Sequence, residues 1–282
     1  MISFRNEPLP GIMIRLGLMD PAPRDSPLAV IALNSPDLSC ALFHQLWTTA
    51  DVRVCADGGA NRVFDSLPAE QRDGSADWLP HAVKGDIDSL RSDVRAYLER
   101  RGVCVVHDPD QDTHDLEKCL AWLAERQADG GGGGGGAAGD EDATPHAPKF
   151  TVAICGAFGG RLDQEMANIN MLFRPTVFRQ LVLLSLDSAA LLMPAGKNVF
   201  VHEPAYQTHT CGLIPVGGAC EQVSTTGLQW NLSAQRLAFG ELVSSSNKII
   251  APEVEVNTSH GLMWTVQLMD EGAGGAAAAG GK

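Results

Sequence analysis

The segment Gly85-Asp86-Ile87-Asp88-Ser89 places two carboxylates two residues apart behind a glycine, directly after the strand-like run "HAVKG" at 81–85. In extended backbone, residues i and i+2 face the same side, so the spacing predicts that Asp86 and Asp88 point at one place. Two carboxylates that close repel each other unless a cation lies between them. A hard divalent ion with oxygen ligands, Mg2+, is the natural filler, and it is commonly found with substrate phosphates. The structural alternative is a turn acid, Asp86, followed by an N-cap, Asp88, for a helix beginning near Ser89. A second acidic segment, "DPDQDTHD" at 108–115, favours the metal. Acids there suit a helix N-terminus, but Asp108, Asp110, Asp112 and Asp115 are more than one cap requires. Asp115, in the expected first helical turn, is the candidate that completes the metal site with Asp86 and Asp88.

Two more strand-following segments carry acids, glycines, an amide or an arginine, and the second of them suits anions. "ADGGANR" at 56–62 holds Asp57, Gly58, Gly59 and Asn61. "GAFGGRLDQ" at 156–164 holds Gly159, Gly160, Arg161, Asp163 and Gln164. Backbone N–H groups at a helix start hold phosphate oxygens, and an arginine adds a charge-assisted fork. Arg161 reads as a lone cation among acids, which favours phosphate binding over a plain tight turn. Further on, "STTGLQWNL" and "LVSSSN" offer hydroxyls, an amide and Trp230. A tryptophan in a small β domain is either core or a stacking platform for a flat, cationic ligand. Composition does not choose between them.

These segments follow apolar runs at 28–33, 52–56, 81–85, 103–107, 151–155 and 181–186, with helical patterns between them. In 113–127, Leu116, Cys119, Leu120 and Leu123 recur at i, i+3, i+4 and i+7, one helix face. The alternation predicts an α/β domain over 28–187, a mostly parallel, Rossmann-like sheet flanked by helices. In such sheets ligands bind beyond the carboxyl ends of the strands, where all four polar segments fall. From 188 to 269 the runs are short, β-rich and broken by Gly, Pro, Asn and Ser, which predicts a smaller all-β sandwich or barrel. Residues 1–27 read as a loosely ordered arm, 128–149 as a low-complexity Gly-rich insert, and 270–282 as a disordered tail. No G-x-x-x-x-G-K-[ST] phosphate loop is present.

The chain has 282 residues, 44% of them hydrophobic, and a formal charge of −13. Such an acidic surface repels nucleic acid and anionic membranes, so neither is expected as a partner. The cysteine count is odd, 7, with no C-x-x-C pair, which reads as small core residues in a reducing compartment. No run reaches the ~18 apolar residues of a membrane span. A soluble, cytoplasmic protein is expected.

Together the motifs resemble the eukaryotic thiamine pyrophosphokinase family. The matching segments are "CADGGANRVFD", "VKGDIDSL", "DPDQDTHDLEKCL", "GAFGGRLDQEMANINML", "TTGLQWNL", "FGELVSSSN" and "VNTSHGLMWTV", in the family's order. The resemblance implies an α/β nucleotide-binding domain followed by a β-sandwich, working as a homodimer with active sites between subunits. It implies Mg2+-dependent transfer of the pyrophosphoryl group of ATP to the hydroxyethyl oxygen of thiamine, giving thiamine diphosphate and AMP. On matched positions, Asp86, Asp88 and Asp115 would hold Mg2+. Asp57, Gly58, Gly59, Gln111, Asp112, Gly159, Gly160 and Arg161 would address ATP, and Asp163 would face the thiamine alcohol. Gln164, Thr226, Trp230, Ser246 and Asn247 would line the thiamine pocket. One departure is Asp112-Thr113-His114-Asp115, where the family reads Asp-x-Thr-Asp; His114 stands where the threonine is usual. The alternatives are a pyrophosphokinase for another hydroxyalkyl heterocycle, such as a pterin, and a non-enzymatic thiamine or nucleotide sensor.

Overall fold

The structure, a computed structural model, describes residues 12–16, 18, 26–36, 38, 40–128 and 149–269. The chain divides into two compact units, one spanning Gly17–Leu186 and the other joining the segments on either side of it. The second unit begins with β1 (Ile12–Ile14). The first unit then runs β2 (Leu28–Ala32), α1 (Ala41–Thr49), β3 (Val52–Ala56), α2 (Gly59–Ser66), α3 (Ala69–Gly74), β4 (Ala82–Gly85) and α4 (Ser92–Arg100). It continues with β5 (Cys104–His107), α5 (Asp115–Ala128), β6 (Thr151–Cys155), α6 (Leu162–Phe173) and β7 (Gln180–Leu184).

Its strands lie in the order β7-β6-β2-β3-β4-β5, every neighbouring pair parallel. β2, at the centre, is buried along its whole length, as a strand covered on both faces should be. The chain moves outward from β2 through β3, β4 and β5, then returns to β6 on the other side of β2. The sheet's order therefore reverses at β2 and β6, the place where open parallel sheets leave a crevice at their carboxyl ends. The face of α5 read from the sequence is the buried one: Leu116, Cys119, Leu120 and Leu123 all pack inward. Cys55, Cys119, Cys155, Cys211 and Cys220 are buried free thiols, whereas Cys104 is exposed.

The second unit continues with β8 (Ser188–Met193), β9 (Gly196–Val201), β10 (Gln207–Ile214), β11 (Cys220–Thr226), β12 (Gln235–Leu237), β13 (Ser244–Lys248), β14 (Glu253–Thr258) and β15 (Leu262–Leu268). One sheet has the order β1-β9-β14-β11-β12, and β13-β10-β15-β8 form the other layer. The layers meet through Phe200 of β9 and Trp264 of β15, ring centroids 4.8 Å apart and both fully buried. The loose arm expected over 1–27 is not what residues 12–16 form. Ile14 and Leu16 are buried while Met13 and Arg15 are exposed, the period-2 alternation of a half-buried strand, and β1 pairs in parallel with β9. Pro-rich flanks masked that short alternation. Most of the Gly-rich insert and the tail beyond Met269 lie outside the described residues. Among the described residues, no helix is long and apolar enough to cross a membrane.

Candidate active site

The carboxyl ends of β2 to β6 surround a cleft of about 750 Å3 lined by residues following each of those strands. At its floor Asp57, Asp86 and Asp115 bring carboxylate oxygens within 4.8 Å of one another. Strand β4 anchors the turns on either side: Asp57 N–H donates to the Lys84 carbonyl at 3.0 Å, and Asp108 N–H, at the start of the turn that leads to Asp115, donates to the Gly85 carbonyl at 2.8 Å. Gly85 makes the convergence sterically possible. A Cβ there would lie 2.8 Å from Asp57 Cβ and 3.0 Å from Asp115 Oδ1.

The electrostatics differ around the cluster. Asp57 is 4% exposed; its Oδ2 accepts from Ser89 N–H at 3.2 Å, but its Oδ1 has no hydrogen-bond partner. Burial raises the Asp57 pKa above the ordinary carboxylate value, and burial does the same for Asp115. Asp86 is shifted the other way, chiefly because Gln111 Nε2 donates to its Oδ2 at 3.1 Å. Lys118, itself 4% exposed, donates to the Asp108 carbonyl at 3.0 Å and lies 3.6 Å from Asp115 Oδ1. An unpartnered buried oxygen among three convergent carboxylates is the donor set of a hard divalent cation such as Mg2+.

Two expectations change here. Asp88 is exposed and lines the cleft but is not in the cluster; Asp57 stands in its place. The alternation argument fails because the strand ends at Gly85 and Ile87 has φ of 63°, so 86 and 88 do not share an extended backbone. Nor is Arg161 a lone cation: Arg62 and Lys118 line the same cleft, Arg62 held by Nε donating to Asn34 Oδ1 at 2.9 Å.

Of the other expected nucleotide residues, Gly58, Gln111, Gly160 and Arg161 line the cleft, and Gly59, Asp112 and Gly159 do not; of the expected thiamine residues on this unit, Gln164 lines it and Asp163 does not. Gly59 lets α2 approach β2, since a Cβ would lie 2.3 Å from the Ala32 carbonyl oxygen. The acidic turn is organised by Asp110, which accepts from Asp112 N–H at 2.9 Å and Thr113 Oγ1 at 2.8 Å. Arg161 and Asp163 pair through two hydrogen bonds, leaving both well exposed. The N–H groups of Gly159 and Gly160, expected to hold phosphate, donate to Glu165 Oε1 at 2.9 and 2.8 Å.

Against this geometry, the family description "Thiamin pyrophosphokinase, catalytic domain" matches residues 43–184. The chain is 38% identical over 230 residues to thiamine pyrophosphokinase 1 of Oryza sativa subsp. japonica, covering 79% of this chain and 81% of that one. The chain belongs to the thiamin pyrophosphokinase family. It is also 35% identical over 234 residues to thiamine pyrophosphokinase 1 of Arabidopsis thaliana, covering 80% and 82%. The crystal structure of yeast thiamin pyrophosphokinase shares the fold, with a TM-score of 0.78 at 20% identity over 96% of this chain and 95% of that one.

A second thiamin pyrophosphokinase description, "vitamin B1 binding domain", matches residues 198–263. Within them Trp230 is 57% exposed, so it is not core. Asn247, 4% exposed, frames it: Nδ2 donates to the Trp230 carbonyl at 2.9 Å and to Ser244 Oγ at 3.3 Å. Its Oδ1 accepts from Trp230 N–H at 3.3 Å and Lys248 N–H at 2.8 Å. All four hydrogen-bonding positions of this amide are therefore engaged with its own unit. Thr226 and Ser246 are exposed, and Ser246 has φ of 54°. The sequence reading missed Arg62 and Lys118 as cleft cations. Lys118 had a signal, its i,i+3 spacing from Asp115 on one helix face.

Proposed function

We propose that this chain transfers the pyrophosphoryl group of ATP to thiamine, forming thiamine diphosphate and AMP. The observation that carries the reading is the Asp57–Asp86–Asp115 cluster, with its unpartnered buried oxygen, on the floor of a nucleotide-sized cleft. Those three residues would hold Mg2+, with Asp88 at the exposed margin. When bound, the ion supplies neutralising charge to the phosphate oxygens.

The chain's own residues do the rest. Arg161, Arg62 and Gln111 reach the cleft as donors for phosphate oxygens, and Lys118 sets one positive charge against the three acids of the cluster. In the transfer, the thiamine hydroxyethyl oxygen bonds to the β-phosphorus as the bond from that phosphorus to the α-phosphate oxygen breaks. The electron pair leaves with AMP and the alcohol proton leaves the nucleophile. Asp163, held by Arg161, is the candidate to orient that alcohol or take its proton. Such chemistry depends mainly on positioning and charge neutralisation. Exposed Trp230 suits the flat thiazolium cation, with Thr226 and Ser246 as the hydroxyls of the same unit proposed for thiamine, while Gln164 is the candidate that lines the α/β cleft. By resemblance, the working form is a homodimer with active sites between subunits. Buried free thiols support a reducing, cytoplasmic setting.

The test is purified protein with ATP, Mg2+ and thiamine. AMP and thiamine diphosphate should appear in equal amounts. ADP as the nucleotide product would refute the reading. So would AMP release with a hydroxyalkyl pterin but none with thiamine.

A further inference from the structure

The turn from Gly156 to Arg161 is gripped from one helix at two points. Glu165, in the first turn of α6, accepts both the Gly159 and Gly160 N–H groups on Oε1. Asn168, three residues on, donates from Nδ2 to the Ala157 carbonyl at 2.9 Å. Residues three apart on a helix share a face, so the acceptor and the donor address the same turn. The near end of the turn is fixed too, because Ala157 N–H donates to the Leu184 carbonyl at 2.9 Å. Gly156 and Gly159 have φ of 78° and 91°, conformations that suit glycine and that a free loop would leave readily.

We propose that Glu165 and Asn168 are positioning residues: their clip fixes the glycine turn so that the phosphate grip here comes through the Arg161 guanidinium and not through the turn's backbone amides. Consecutive N–H groups facing one oxygen form an anion-binding nest. In this chain the nest is filled by its own carboxylate. Arg161 follows the two clipped glycines directly and is the N-cap residue of α6. Fixing the turn therefore fixes where the arginine leaves the backbone, and nucleotide binding is spared the cost of ordering it. No signal in motif spacing points to this pair, since each residue acts on the turn before its own helix.

The inference rests on the proposed ATP site, and the experiment separates the two. Wild-type protein that makes no AMP with thiamine defeats the functional reading; wild-type turnover with unaltered variants defeats only the clip. In Glu165→Ala, the Michaelis constant for ATP should rise ~10-fold, the loss of about 1.4 kcal/mol of nucleotide binding, with kcat and the thiamine constant within about twofold. Glu165→Gln keeps the acceptor oxygen and should restore most of the affinity. Asn168→Ala should shift the ATP constant in the same direction by less. Independently of activity, hydrogen exchange at the Gly159 and Gly160 amides should be slow in the wild type and fast in Glu165→Ala. Tighter ATP binding by Glu165→Ala would overturn the proposal and make the carboxylate a competitor for the nest. Unchanged exchange at both amides would also overturn it, as would a uniform fall in kcat and both affinities alongside a lower Tm.

Discussion

The floor of the α/β cleft and the surface around Trp230 are built on opposite plans. In the cleft, polar groups converge with their needs unmet: Asp57 Oδ1 is buried without a partner and two of three carboxylates have raised pKa values. Around Trp230 the polar groups are satisfied internally, and it is the apolar ring that faces outward. The first plan leaves valence for an ion and a charged substrate. The second gives a rigid frame that presents shape and a π-face. On the proposed function, the first region would serve chemistry and the second recognition.

The sharpest way to break that contrast is Asp57→Asn. It should lower kcat by ~100-fold or more, as expected when a preorganised charge site is lost. Tm should hold or rise, because a buried, unpartnered charge destabilises the fold. A drop in Tm with near-normal turnover would make Asp57 a structural acid and dissolve the difference between the regions. Asp88→Asn, outside the cluster, should cost clearly less than Asp57→Asn; equal losses would restore Asp88 to the ion site.

Next in size is Asn247→Ala, which removes four hydrogen bonds beneath Trp230 and should cost about 2–3 kcal/mol of stability. Its activity signature should be a raised thiamine constant with the ATP constant unmoved. Trp230→Ala should act through binding alone. An exposed side chain contributes little to folding, so Tm should stay within a degree or two, while the thiamine constant rises ~10-fold from lost stacking. A Tm loss as large as that of Asn247→Ala would show the ring to be packing and not platform.

Much of the cleft was legible because its signals are local. Strand periodicity placed β2 to β7, and rules for parallel sheets placed the acidic turns at their carboxyl ends. What stayed hidden depended on backbone detail or partners distant in sequence. The extended-chain argument joined Asp86 to Asp88, but Ile87 at positive φ turned Asp88 out. Asp57, on the turn after the preceding strand, entered because Gly85 leaves room for its side chain beside Asp115. The N–H groups of Gly159 and Gly160 looked free until Glu165 was seen to accept both. In the β-rich unit, Trp230 could not be assigned from sequence because exposure depends on where β13 lies, and that follows from pairing with β10. β1 was missed because a three-residue strand is too short to outweigh Pro-rich flanks.

The smallest expected effect concerns pH, and it is read as a sign. Burial raises the pKa of Asp57 and Asp115 above the ordinary carboxylate value. Each therefore binds its proton more tightly folded than unfolded, and the folded state gains stability where both are protonated. That stability is fully present below the unfolded carboxylate pKa and is lost as pH rises through the raised folded values. Asp86, lowered by Gln111, runs the other way, contributing stability above the ordinary range, but its exposure keeps that share small. Without divalent ions, the wild type should thus lose Tm relative to Asp57→Asn as pH rises across the acidic range. If the cluster holds Mg2+ as proposed, adding the ion should reverse the slope, since only the ionised carboxylates would bind it and binding stabilises by mass action. Trp230→Ala, altered in the other region, should track the wild type in both conditions. A Trp230 variant that shifts the pH response, or an Asp57 variant that does not, would show that the two regions are not separate in their electrostatics.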